Sequence, residues 1–446
     1  MPYPKHRWSN SKRRYQRHAG PSTASKSSRK PKPLPGEYAL KFLFDHCPKF
    51  PKFEGNVGTR DPAQYDMHLH SELILKDIVL FPDMLDQLAG VVDSKLHHLS
   101  GNLPQISRSA NLHPTQVLSV LQRGSGLSVG PEGDIRNSYF PLQHLSSLVA
   151  STLFAGLDRW SNIFRFNDNP TSTMACTIAD GYLSPDKAAV AKAGLSNDLD
   201  SDIQLVIKMG LSDFLFWEFK SMNTGSEGVM RAISYLAGSK FPWACCPTFR
   251  SCGGRFFRKT DDMFNFQFAI TGYETDEDGG IFEDGSDIEF GVSDSGALRF
   301  DKSNINSSVD SVLSTSGRKF KIEGDDIGFE DDGGTNDDAL SFNDDFTDAL
   351  KIIQQVWAEA VNVDATFMVL NNGSREFIGI RDRKLQRLYL SPLIDLDDPN
   401  SLQAGYFKVH VGLQIAALLG VIQRAKRLNA LSRPPVLYTF EYDRGD

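Results

Sequence analysis

Cysteine is scarce in this chain: Cys47, Cys176, Cys245, Cys246 and Cys252 are the five in 446 residues. They are too few and too unevenly placed for a disulfide framework, which points to a reducing intracellular compartment, nuclear or cytoplasmic. An apolar h-region is also missing. The basic opening MPYPKHRWSNSKRRYQRH runs into AGPSTASKSSRKPKPLP rather than into Leu or Val, so no secretory leader is expected. Long apolar runs are lacking too. The longest, Val409 to Ile422, is broken by Gln414 and followed by Arg424, Lys426 and Arg427, whereas a spanning helix needs roughly 20 apolar residues; no membrane partner is expected. Nothing in the sequence combines H-R-D with D-F-G, which argues against a kinase. The glycine-containing stretch Arg123 to Gly130 lacks the Lys and Ser/Thr of a phosphate loop and reads as a turn. There is no internal repeat.

What is present is enough apolar material for a substantial core, 40% hydrophobic and 11% aromatic, arranged with a marked asymmetry of charge. The formal net charge of −8 hides it. Residues 1 to 33 carry ten Lys or Arg and no acid, while residues 274 to 348 carry 22 Asp or Glu against five Lys or Arg. Both stretches have too little apolar surface to offset ordering entropy, so disorder is expected. The expected organisation is a disordered basic tail over 1–36, a helical N-terminal region over 37–165, an α/β domain built from 166–273 and 345–446, and a disordered acidic insertion over 274–344. The basic tail suits phosphate contact or nuclear addressing equally with a merely solubilising role.

Within this frame, residues 38 to 130 read as helical, with Leu73, Leu75, Ile78 and Leu80 and then Met84, Leu85, Leu88, Val91 and Val92 around the breaker Pro82. Leu145, Leu148, Val149, Leu153 and Leu157 mark a further helix. The pattern then changes to short β-branched or aromatic runs separated by Ser, Asn, Asp and Gly: STMACTIADGYL up to Leu183, IQLVIKM over Ile203 to Met209, and DFLFWEFK over Asp213 to Lys220. Helices follow at Gly228 to Leu236 and over Phe346, Leu350, Ile353, Trp357 and Val361. Ala365 to Leu370 and Glu376 to Arg381 form a hairpin across NNGSR, whose Asn-Gly pair is a tight-turn signal. A strand at Leu388 to Ile394, a long amphipathic helix at Val409 to Leu428 and a strand at Val436 to Tyr442 complete the reading.

The segment Asp213 to Ser221, DFLFWEFKS, is where the chemistry concentrates. Side chains alternate across a strand, so Phe214, Phe216, Glu218 and Lys220 share one face and Leu215, Trp217 and Phe219 the other. A strand apolar on both faces is buried on both, and a carboxylate and an ammonium at its end are costly to desolvate unless paired or metal-bound. An E-x-K triplet by itself is most often a structural salt bridge. The triplets Asp93 with Lys95 and Asp382 with Lys384 sit in polar surroundings and are read so.

The order of elements adds weight: a helix, a strand ending in Asp180, a strand ending in Glu218-x-Lys220, a helix, then a hairpin. With IADGYL, FLFWEFKS and FMVLNNGSREFIGI as its motifs, this order resembles the PD-(D/E)XK nuclease superfamily, in particular large fungal members of it, over Asp180 to about Ile394 without the acidic insertion. The resemblance implies an α/β fold of restriction-endonuclease type, a mixed central sheet flanked by helices, here with an N-terminal helical extension. It implies that Asp180 and Glu218, with the Phe219 carbonyl, ligate Mg²⁺ or Mn²⁺, that Lys220 orients or deprotonates the attacking water, and that the substrate is a nucleic-acid phosphodiester, DNA or RNA. Asp186, a literal Pro-Asp, and Asp202 are rivals for the first acid. The helix before the first strand shows no obvious Glu. Gln354 and Gln355 occupy the helix where related nucleases often place a Gln, although solvated glutamines would look the same. The alternative is a non-enzymatic nucleic-acid-binding or protein-interaction module that keeps the fold. Cys245, Cys246 and Cys252 lack the two spaced pairs of a zinc site, and His68 and His70 lack a third ligand.

Overall fold

A computed structural model describes residues 34–49, 73–99, 102–107, 111–122, 132–167, 179–221, 224–244, 336–398 and 404–430, with a few single residues and short strands besides; side chains at 336–343 are not among those described. The basic tail, most of the acidic insertion, His68, His70, Cys176, Cys245, Cys246 and Cys252 lie outside the described residues. The described residues from Leu34 onward belong to one compact unit.

The centre is an eight-stranded mixed sheet: β1 (Asp77–Leu80), β2 (Phe164–Asn167), β3 (Gly181–Pro185), β4 (Leu215–Phe219), β5 (Phe367–Asn371), β6 (Arg375–Asp382), β7 (Arg387–Leu390) and β8 (Ile394–Asp395). Their spatial order is β1-β7-β6-β5-β4-β3-β2, with β8 paired to β6. The pairs β4 with β5 and β7 with β1 are parallel, and the rest are antiparallel. The chain is therefore α/β with a mixed sheet between helices.

Alternation along β4 assigns the two cores. Leu215, Trp217 and Phe219 face one hydrophobic layer, made with α2 (Met84–His98), α4 (Glu132–Ala155), α6 (Asn197–Lys208) and a last long helix, Tyr406–Ala430. Phe216 faces the other, made with α7 (Glu227–Tyr235) and α8 (Asn336–Asn362). Both sides of β4 are buried along its whole length, as a strand apolar on both faces requires. The last helix, α9, is long and apolar enough to cross a membrane by length and composition, yet 78% of its most apolar stretch is buried inside the protein. It crosses α2 so closely that a Cβ on Gly412 would meet the Leu88 carbonyl oxygen at 1.8 Å. A core helix packed on neighbouring helices accounts for its composition.

Three local readings are corrected. Ile203 to Met209 is not a strand but the second half of α6: Ser196 caps it by accepting from the Leu199 N–H at 3.4 Å, Asp198 and Asp200 occupy its first turn, and Ile203 and Val206 are its buried pair. The three-residue step of that pair was the helical signal, and the β-branched composition obscured it. Conversely, Ile78 and Leu80 belong to β1, because tertiary pairing with β7 overrides a local spacing that suits either state. Residues 37–165 thus supply a sheet strand as well as helices, including α1 (Gly36–Phe44) and α3 (Pro114–Leu121). The third correction concerns Asp180. It stands immediately before β3 rather than at the end of a strand, and the geometry that follows turns on that.

Candidate active site

Because β3 runs antiparallel to β4, with Gly181 opposite Trp217, the start of β3 meets the end of β4. The Asp180 N–H donates to the Trp217 carbonyl at 3.1 Å, and the Phe219 N–H donates to Asp180 Oδ2 at 2.8 Å. Asp180 is therefore bonded to the backbone of the E-x-K segment itself. The Ala179 N–H donates to the Tyr182 hydroxyl oxygen at 2.6 Å, which ties down the residue before it. A glycine is needed at 181, since a Cβ there would come within 2.2 Å of the Phe166 ring.

Glu218 and Lys220 emerge on the face covered by α8, as alternation requires. They are 3% and 6% exposed. Lys220 Nζ donates to Glu218 Oε1, and also to Gln355 Oε1 at 3.1 Å. Gln355 Nε2 in turn donates to Glu218 Oε1 at 2.8 Å and to Glu359 Oε1 at 2.9 Å. Gln355 and Glu359 stand one turn apart on α8 and so present to the same face. Gln354 points elsewhere. Its amide clamps Ala244, accepting from the N–H at 3.0 Å and donating to the carbonyl at 2.9 Å.

The structure thus joins Asp180, Glu218 and Lys220 with Gln355, one of the two helix glutamines singled out in the sequence, and adds Glu359. A weaker influence comes from an acid ahead of the stretch read as the preceding helix. Glu132, the first residue of α4, acts electrostatically on both Asp180 and Lys220. The rival first acids are occupied otherwise. Asp186 caps α5 (Lys187–Ala193), accepting from the N–H groups of Ala188 and Ala189 at 3.0 Å each, and Asp202 on α6 pairs with Lys426 at 2.8 Å.

Charge is unbalanced here. Asp180, Glu218 and Glu359 face a single ammonium. Burial, then the neighbouring Glu218, push the Asp180 carboxyl up to about 7. Burial, reinforced by Glu218, holds Glu359 well above the ordinary carboxylate range. Burial alone would lower Lys220, but the carboxylates of Glu218 and Glu359 outweigh it and raise the amine. Protons supply what countercharge lacks, and a divalent cation would supply it better. Among the described residues no three His, Cys, Asp or Glu side chains are gathered as a metal shell. The donors nevertheless fit Mg²⁺, which commonly takes one or two carboxylates and keeps several waters.

The sign of the Asp180 effect is testable. Its folded-state value of about 7 lies above the ordinary 3.8, so the folded protein holds this proton more tightly and loses stability as pH rises from about 4 to 7, by up to ~4 kcal/mol. Without divalent cations, urea midpoints should fall across that window, and Asp180→Asn should make the fall markedly shallower. An equal slope in both proteins would show that the Asp180 carboxyl titrates normally.

A second buried polar group lies on the opposite face. Glu376 accepts from Tyr139 at 2.7 Å and from Asn371 at 2.8 Å, and lies 2.7 Å from His410 Nε2. It is wholly enclosed and reads as a core network that fixes β6 against α4 and α9. A cavity of about 810 Å³ lies between α1, α2 and the start of α9, and contains none of Asp180, Glu218 and Lys220. Volume and chemistry do not coincide, and the chemistry marks the site more specifically.

Comparison with known proteins returns no matching family model, no matching curated protein and no matching solved structure. Fold and site define the class directly: an α/β protein with a mixed eight-stranded sheet and a buried, acid-rich site with one lysine where β3 and β4 meet.

Proposed function

We propose that the chain is a nuclease of restriction-endonuclease-like, PD-(D/E)XK type that hydrolyses nucleic-acid phosphodiesters with Mg²⁺ or Mn²⁺. The observation that carries this reading is the Phe219 N–H bond to Asp180, which locks the first acid onto the strand that presents Glu218 and Lys220. Asp180, Glu218 and the Phe219 carbonyl would hold the cation. When bound, it polarises the phosphate and lowers the pKa of a coordinated water.

The remaining roles fall to the chain's own residues. Lys220, held by Glu218 and Gln355, orients the attacking water and offsets charge gathering on the phosphorus oxygens. The water oxygen bonds to phosphorus, one bridging P–O bond breaks, and the leaving oxygen takes up a proton equivalent to the one that the attacking water gives up to solvent. Gln355 keeps Glu218 and Lys220 in one hydrogen-bonded network. Asp180 is only half-buried, so a phosphate would approach from its side.

Incubation of the purified chain with single-stranded DNA, duplex DNA and RNA, in Mg²⁺ or Mn²⁺ against EDTA, tests this. Cleavage is expected only with metal, and Asp180→Asn and Glu218→Gln should each lower it on the order of 10² to 10³-fold. Equal cleavage by all three proteins, or none on any substrate, would overturn the nuclease reading. The second outcome favours the non-enzymatic module, for which one observation speaks: the Lys220 ammonium is already enclosed by Glu218 and Gln355 at 6% exposure, as in a structural ion pair.

A further inference from the structure

Glu359 has no role in that reading, yet it is the most deeply buried acid of the site, 1% exposed. Its Oε1 accepts from Gln355 Nε2 at 2.9 Å. Among the described residues, no donor reaches its Oε2. A buried carboxylate oxygen without a donor costs on the order of 1 to 3 kcal/mol or more, and anchoring Gln355 needs only one acceptor, which a glutamine would provide. Without a cation, a proton on Glu359 meets that need; once a cation displaces the proton, a donor must reach the second oxygen.

The partners of Gln355 say where that donor comes from. Its single Nε2 is shared between Glu218 Oε1 at 2.8 Å and Glu359 Oε1 at 2.9 Å, so the two carboxylates are held side by side. Glu359 is not one of three side chains gathered as a direct metal shell. Mg²⁺ held by one or two carboxylates keeps several of its waters, and these waters are strong donors. Resting on the nuclease reading above, we propose that Glu359 is an outer-sphere ligand of that cation: its Oε2 accepts from a water that remains on the metal, and its Oε1 fixes Gln355 so that the amide gives its N–H to Glu218 and its oxygen to Lys220. Glu359 thereby makes the site selective for an ion that arrives with its water, and acts as a positioning residue.

Manganese binding, followed by loss of the free-ion paramagnetic resonance signal and by calorimetry without any nucleic acid, tests this directly. Glu359→Gln keeps an acceptor for Gln355 but can turn a donor toward the metal-bound water; it should weaken Mn²⁺ binding on the order of 10 to 100-fold, the usual effect of removing an outer-shell partner. Glu359→Leu, which removes both acceptors, should weaken it at least as much. Thermal unfolding without metal checks that each variant is folded, and a variant that is not leaves the other to decide. If the natural chain binds Mn²⁺ and folded Glu359→Gln binds it equally well, the outer-sphere role is wrong while the nuclease site stands. If the natural chain shows no Mn²⁺ binding at millimolar concentration, the metal site and this inference fall together.

Discussion

Replacing Lys220 by Met should lower stability by about 3 to 5 kcal/mol at pH 8, the usual result of removing one partner from a buried ion pair, and should restore most of it at pH 5. The side-chain stem of methionine fills much of the volume of the lysine stem, so the loss reports charge rather than packing. With the ammonium gone, Asp180, Glu218 and Glu359 face one another without a countercharge at the β3–β4 junction. Asp180 is already pushed up to about 7 and Glu359 is held well above its ordinary range. Protons would therefore neutralise them on mild acidification. In the same variant any Mg²⁺-dependent cleavage should fall on the order of 10² to 10⁴-fold, the range for a lost proton-transfer or charge-stabilising group, while Mn²⁺ binding persists because the acidic ligands remain. Chemical denaturation at the two pH values and a cleavage assay read the two effects separately. Unchanged stability at pH 8 would mean that Lys220 is not the countercharge of this cluster, and cleavage at the natural rate would remove it from the chemistry.

How much of this was legible beforehand depends on whether the signal was local. DFLFWEFKS announces a doubly buried strand because both of its faces are apolar within nine residues, and its E-x-K end stands out for the same reason. The hairpin across NNGSR is equally local: Gly373 takes the positive φ of 100° that the turn requires, and β5 and β6 pair as expected. Asp180 was legible as an acid but not as the residue before its strand. Alternation says that a strand exists and is silent about which neighbour it pairs with, and the antiparallel pairing with β4 decides which end of β3 meets Glu218. Gln355 stood out as a helix glutamine, although it stands 137 residues from Glu218; Glu359 was illegible, because on α8 it looks like an ordinary polar position among Val356, Trp357 and Ala360. Glu132 was hidden differently. An acid in the first turn of a helix is favoured by the helix dipole alone, so nothing marked it as facing a site.

The other large effect is expected at Asp364, which follows α8 and holds three arginines. Its Oδ1 lies 3.2 Å from Arg383 Nε and 3.6 Å from Arg381 Nη1, and its Oδ2 lies 2.5 Å from Arg424 Nη2. The arginines come from the end of β6 and from α9, and all three are at most 5% exposed. One carboxylate therefore ties the turn after α8 to a sheet strand and to the central helix. Backbone carbonyls share the load: Arg383 Nη2 donates to the Asp364 carbonyl at 2.7 Å and Arg381 Nη1 to that of Ala360 at 2.6 Å. Those bonds satisfy donors but carry no full charge. Asp364→Ala leaves three buried guanidiniums around a missing carboxylate and should cost about 3 to 5 kcal/mol, a large share of a typical total of roughly 5 to 15. The backbone adds to it, because Asp364 has φ of 55°, a conformation that Asp and Asn adopt more readily than Ala. Asp364→Asn keeps that conformation and should be milder than Ala, yet still clearly destabilised. Denaturant midpoints at an unchanged slope measure both, and a loss under about 1 kcal/mol for Ala would show that the carbonyls and other neighbours suffice. The response to pH separates this cluster from the site. Acid can neutralise the carboxylates left by Lys220→Met, but guanidinium stays protonated at every accessible pH, so the Asp364→Ala deficit should be no smaller at pH 5 than at pH 8.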